Sequence, residues 1–279
     1  MGIRPVRFLY VANDGDSTVE IYDITTPTTP VRLGQFGAGD LNNPQGLVIT
    51  GTTLYVSNFG DSTVEIYDIS IPSTPVRQGQ FGTGDLSLPF GLVITGTTLY
   101  VSNVSDNTVE IYDITTPTAP VRQGQFGAAD LSGPDALAIT GTTLYVANFG
   151  DDTVEIYDIT TPTAPVRQGR FGAGDLNNPR GLAITGTTLY VVNQGDDTVE
   201  IYDISTPIAP IRQGQFGATD LSVPNGLVIT GTTLYVSNDG DDTVEIYNIT
   251  NPSAPMRVGE FNAGNLNNPV GMAIFTLLV

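Results

Sequence analysis

Gly46-Leu47-Val48-Ile49-Thr50-Gly51-Thr52-Thr53-Leu54-Tyr55-Val56-Ser57-Asn58-Phe59-Gly60-Asp61-Ser62-Thr63-Val64-Glu65-Ile66-Tyr67-Asp68-Ile69 alternates short apolar runs with turn residues. The run Gly46 to Thr50, the Gly-Thr-Thr turn and the run Leu54 to Asn58 together predict a hairpin. A second turn, Asn58 to Ser62, leads into Thr63 to Ile69, which is rich in the β-branched and aromatic residues that suit a pleated surface. Ser70 to Pro75, with prolines at 72 and 75, interrupts the pairing before Val76-Arg77-Gln78-Gly79-Gln80-Phe81 resumes it. Nothing in this stretch has helical periodicity.

The same unit returns along the whole chain. Tyr10, Tyr55, Tyr100, Tyr145, Tyr190 and Tyr235 each sit in Leu-Tyr-Val-x-Asn, spaced 45 residues apart in the chain of 279. A period of this length marks a repeat architecture, because one unit cannot bury its own apolar surface and must stack on its neighbours. Four antiparallel strands per unit, six times over, predict an all-β, six-bladed β-propeller that spans residues 1–279 as one domain. A solenoid would need shorter coils and caps at both ends, and leucine-rich repeats have their own leucine and asparagine spacing. Phe8-Leu9-Tyr10-Val11 is a second strand and Gly271-Met272-Ala273-Ile274 a first strand, so the two ends complete each other. Residues 271–275 are expected to supply the innermost strand of the blade whose other strands lie within 8–36, which closes the ring without an unpaired edge.

Segments such as Leu54-Tyr55-Val56-Ser57-Asn58 and Val64-Glu65-Ile66-Tyr67-Asp68-Ile69, followed by Pro72 and Pro75, resemble bacterial LVIVD-type repeats and the broader YVTN/NHL-like propellers. The resemblance covers essentially the whole chain. It implies a propeller, frequently from an exported or surface protein, and no shared catalytic activity. Glu65 and Tyr67 depart from the apolar pattern, and Gly271 to Val279 lose the Gly-Thr-Thr turn.

Composition narrows the function further. A net charge of −19, with no lysine, repels phosphate backbones and anionic lipid, so neither nucleic acid nor a membrane is expected as a partner. Without Cys or His the chain lacks thiol nucleophiles, thiolate metal sites and the usual neutral-pH base. No apolar run approaches a membrane span. The compartment reads as cytoplasmic for the chain as written, or as extracellular or cell surface if a leader has been removed.

Several polar residues recur in every unit. Arg32, Arg77, Arg122, Arg167, Arg212 and Arg257 are expected to face Asp23, Asp68, Asp113, Asp158, Asp203 and Asn248 across the proline turn. Such exposed ion pairs are worth ~0.2–1 kcal/mol, with Arg257 opposite Asn248 the weakest. Asp40, Asp85, Asp130, Asp175 and Asp220, with Asn265, read first as turn caps; the sharper reading is a carboxylate ring for a divalent cation. Calcium needs six to eight converging oxygens, which sixfold repetition spreads apart. Glu20, Glu65, Glu110, Glu155, Glu200 and Glu245 lie mid-strand. A catalytic carboxylate pair needs two unlike environments, and identical copies do not provide them.

The copies differ at chosen places. Asp14, Phe59, Val104, Phe149, Gln194 and Asp239 occupy one position in the turn after the second strand. Gln45, Phe90, Asp135, Arg180, Asn225 and Val270 occupy one position just before the first strand. Turns after the second and fourth strands open on one face of the disc, and loops on a rigid scaffold carry recognition. These residues, with Leu88, are therefore expected to ring the channel mouth as a ligand-binding wheel. Phe59, Leu88, Phe90, Val104 and Phe149 form an apolar half; Arg180, Gln194, Asn225, Asp239 and Asp14 fall mostly on a polar half. The reading that follows is a monomeric, non-enzymatic scaffold, without cofactor, that binds a protein, peptide or glycan. One alternative is a lactonase-like hydrolase assisted by Ca²⁺, which other six-bladed propellers support in their channel. Another is a recently amplified or engineered repeat protein with no evolved ligand.

Overall fold

The computed structural model describes residues 4–262 and 264–278. The first three residues, residue 263 and Val279 lie outside them. Six sheets of four antiparallel strands stand around one axis. In the second blade the strands run, from the axis outward, Pro44–Thr50, Thr53–Asn58, Thr63–Asp68 and Val76–Phe81. Each innermost strand contacts the next around the circle, and Pro269–Leu278 contacts both its neighbours, so the ring is closed. The closing strand pairs antiparallel with Pro5–Asn13, from Val11 opposite Met272 to Pro5 opposite Leu278. It runs past the expected residue 275 because Phe275-Thr276-Leu277-Leu278 stands where the other blades turn at Gly-Thr-Thr, and the strand continues instead.

Alternation along the strands explains how the blades hold together. Leu54 and Val56 point to one neighbour, into a cluster with Tyr10, Val19, Ile21 and Tyr67, while Tyr55, Val64 and Ile66 point to the other, against Leu99, Val101 and Tyr112. Both faces of the middle strands are therefore buried, and the apolar area removed from water contributes about 25 cal/mol per Å². The motif tyrosines do more than fill space. Tyr10 Oη donates to Pro72 O at 2.9 Å, Tyr55 to Pro117 O at 2.7 Å, and the series closes with Tyr235 to Pro27 O at 2.8 Å. Each blade is thus hydrogen-bonded to the proline turn of the next.

The asparagine that ends the motif is equally explicable. Asn58 is fully buried, accepts from the Asn42 amide at 2.6 Å and donates to Asp40 O at 3.2 Å. It fastens the connection between blades to the turn after the second strand.

The outer arginines do not make the expected partnership. A bulge lies between Ile66 opposite Gly79 and Tyr67 opposite Arg77, and it puts Asp68 opposite Val76. Arg77 turns inward and its Nε meets Glu65 Oε2 at 2.6 Å, with the Glu65 side chain only 1% exposed. Asp68 instead accepts the Ser70 amide at 2.8 Å, capping the proline turn. Arg257 keeps this partnership with Glu245 at 2.5 Å, so Asn248 does not weaken it. Burial pushes the Glu65 carboxyl up, and the Arg77 hydrogen bond and charge oppose it. A buried carboxylate with one paired cation depends on that cation far more than an exposed pair does.

Candidate functional site

Glycine sets how closely the six inner strands approach. A Cβ on Gly46 would stand 2.2 Å from Phe90 O, and one on Gly271 would stand 2.1 Å from Gln45 O. The axis therefore narrows to a small cavity of about 90 Å³ lined by Gly46, Gly91, Gly181, Gly226 and Gly271, with Ala136 at the corresponding place in the fourth blade. Above it the residues that precede these positions surround a basin of about 320 Å³.

The rim is held by the connections between blades. Phe59 N and Gly60 N donate to Asn43 O and Asn42 O at 3.2 and 2.9 Å, and a Cβ on Gly60 would fall 2.6 Å from the Asn42 side chain. A residue in the position of Phe59 is consequently presented from a hydrogen-bonded belt. Asp14, Gln45, Phe59, Phe90, Val104, Asp135, Phe149, Arg180, Asn225, Asp239 and Val270 all line the basin, as the two variable positions predict. Leu88 is half-buried beside it in a left-handed turn (φ 56°) and Gln194 reaches it through Arg180; neither is a wall. Gly133 also lines it and is missing from the sequence expectation. Its signal was there to read, since glycine replaces asparagine, leucine or valine at that place in the other repeats.

The division into facing apolar and polar halves needs correction. Phe90 is buried, and Phe59 packs edge-on against it, with ring centroids 6.3 Å apart. Arg180, assigned to the polar half, lays its guanidinium over Phe149 at 4.4 Å and Phe90 at 5.5 Å. A long side chain on one inner strand spans to aromatic rings on the adjacent blade and on the one beyond it, which position numbers alone do not reveal.

One carboxylate stands apart from the repeated ones. Asp135 is 3% exposed and its Oδ2 accepts from Arg180 Nη1 at 2.8 Å, while Arg180 Nε donates to Gln194 Oε1 at 3.1 Å. The other oxygen, Oδ1, is buried without a hydrogen-bond partner. Burial pushes the Asp135 carboxyl up to about 6, against the opposing pull of the Arg180 charge and hydrogen bond and, more weakly, the Ala136 amide. Across the basin Asp14 accepts from Gln45 at 2.9 Å and Asp239 from Asn268. Burial raises the Asp14 carboxyl, hydrogen bonds from Asn43 and Gln45 oppose this, and the nearby Asp239 adds to the rise. A divalent cation fits this donor set poorly. No group of three or more carboxylates able to hold a metal exists among the described residues, and Asp135 already faces a guanidinium.

A family model described as lactonase, 7-bladed beta-propeller, matches residues 94–225, roughly three repeats of this six-bladed ring. Similar solved structures include a provisionally assigned 6-phosphogluconolactonase of Bacteroides fragilis, at 13% identity and TM-score 0.70, covering 97% of this chain and 98% of that one. The periplasmic gluconolactonase of Pseudomonas aeruginosa is 12% identical at TM-score 0.68, with 92% of this chain and 80% of that one covered. A chain from the nidogen–laminin complex is 15% identical at TM-score 0.72, with 96% and 98% covered. Likeness at these identities shows the propeller fold alone. A comparison with curated proteins finds no match.

The lactonase family match over residues 94–225 overturns the expectation of a non-enzymatic scaffold and favours the hydrolase alternative. Identical copies of Glu and Asp argued against a catalytic carboxylate, but Asp135 is not one of those copies, and folding buries it in the wall of the basin against Arg180.

Proposed function

We propose that this chain is a lactonase-like hydrolase whose reaction is carried out at the channel mouth by Asp135 and Arg180. The observation that carries the reading is that Asp135 and Arg180 form an ion pair in the wall of the basin, with one carboxylate oxygen left without a hydrogen-bond partner, supported by the lactonase family match over residues 94–225. Above a pH of about 6 Asp135 is ionised and takes a proton from water as the oxygen adds to the lactone carbonyl carbon. Arg180 stabilises the resulting oxyanion. Collapse re-forms the carbonyl and breaks the ring C–O bond, and the proton returns from Asp135 to the departing alkoxide, so lactone and water become a hydroxy acid. A positioned base contributes about 10²–10⁴-fold, and a fixed donor at the oxyanion about 10²–10³-fold. The phenylalanines beneath Arg180 hold the guanidinium flat and exclude water from its face.

The blades' kinship to LVIVD-type and YVTN/NHL-like repeats belongs to this proposal as lineage and carries no part of the chemistry. In the same reading the protein acts as a monomer, because the outer-strand bulges interrupt the edges on which a second sheet would pair.

Purified protein titrated in a pH-stat with a panel of γ- and δ-lactones should show saturable hydrolysis above the buffer rate. Asp135→Asn should remove at least ~100-fold of it. Absence of turnover across the panel, or an unimpaired Asp135→Asn variant, would overturn the proposal.

A further inference from the structure

The cations of the basin decide which lactones can enter. Arg180 is the only cationic side chain among the residues that line it, and it is already engaged by Asp135 and Gln194. Two further carboxylates, Asp14 and Asp239, line the same cavity, so three acids face one guanidinium. The surrounding field has the same sign: the chain has a net charge of −19 and no lysine. A phosphate group brought here would meet no free positive charge and two fixed negative ones, in a concave, partly desolvated setting where such repulsion is strengthened.

The remaining wall is apolar. Phe59 and Val104 are half-buried in it, with Phe59 edge-on to the buried Phe90, while Arg180 covers the Phe90 and Phe149 rings. The basin of about 320 Å³ lies at the small end of ligand pockets. That suits a single small lactone ring with one aromatic or short aliphatic substituent.

We infer that the substrate is an uncharged lactone with an apolar face set against Phe59 and Val104, and that Asp14 and Asp239 exclude phosphorylated sugar lactones. This rests on the hydrolase reading above but separates from it in the test. The chain would then differ in substrate from the phosphogluconolactonase-named protein it resembles in fold.

Three probes distinguish the possibilities: dihydrocoumarin, an uncharged benzo-fused lactone; glucono-δ-lactone, uncharged and polar; and its 6-phosphorylated form. The expected order of kcat/KM is the order given, with the phosphorylated lactone at least ~100-fold below dihydrocoumarin. The double variant Asp14→Asn/Asp239→Asn should raise the phosphorylated-to-unphosphorylated gluconolactone ratio at least ~10-fold, and added salt should shrink that gain. A preference for the phosphorylated lactone, or a ratio that the double variant leaves unmoved, would overturn the inference while leaving hydrolysis in place. If no probe is hydrolysed, the hydrolase reading fails and equilibrium calorimetry decides this one. Saturable binding of dihydrocoumarin with none of 6-phosphogluconate would sustain it; equal or tighter binding of the phosphorylated ligand, or no binding of either, would end it.

Discussion

Replacing Asp135 with asparagine should cut lactone hydrolysis at least ~100-fold and yet make the protein more stable, and the gain should depend on pH in a defined way. The Asp135 carboxyl rises from its ordinary value of 3.8 to about 6 because burial outweighs the attraction of Arg180. That rise corresponds to about 3 kcal/mol of penalty on the ionised form. A group whose pKa is higher folded than unfolded contributes its full stability below the unfolded value and loses it as pH rises through the folded value. The wild-type protein should therefore lose this contribution between about pH 4 and pH 7. Asparagine resembles the neutral acid, retains a carbonyl acceptor for Arg180, and does not titrate. At pH 7.5 the variant should unfold at a temperature roughly 4–10 °C higher, from about 2–3 kcal/mol of stabilisation. By pH 4 the two should coincide. Calorimetric melting of both proteins across this range measures the difference directly, and the other carboxylates cancel because they are common to both. A variant destabilised by a constant amount at every pH would refute the reasoning and make Asp135–Arg180 an ordinary structural pair.

Other outcomes follow from the same geometry. The wild-type kcat/KM for an uncharged lactone should fall as pH drops through about 6, since the protonated Asp135 cannot act as base; a flat profile from pH 5 to 8 would exclude it from that role. Arg77→Met should destabilise by about 3 kcal/mol at neutral pH, because it strands the buried Glu65 carboxylate, and the loss should shrink in acid as Glu65 takes up a proton. Gly46→Ala should destabilise by roughly 3 kcal/mol or more, since the new methyl would overlap Phe90 O at 2.2 Å; a melting curve equal to wild type would mean that the inner strands can separate freely.

Much of the fold was legible because its causes are local or repeated. A turn of Gly-Thr-Thr, alternating apolar residues and a proline break each act within a few positions, and six copies at one spacing require six equivalent sheets. The incomplete units at the two ends foretold ring closure, and the two variable positions foretold one shared rim. Tertiary structure decided what required side chains distant in sequence to meet. A single bulged residue moved every outer arginine from Asp68 and its copies onto Glu65 and its copies. Five of the motif tyrosine hydroxyls found prolines 62 positions ahead, and Tyr235 found Pro27 across the ring closure. At the axis, residue 135 and residue 180 were only two members of a variable series until folding placed them 2.8 Å apart over aromatic rings. Repetition announces what all blades share, whereas an asymmetric site arises from the few positions where neighbouring blades differ, and the consequence of that difference is set by burial and distance in three dimensions.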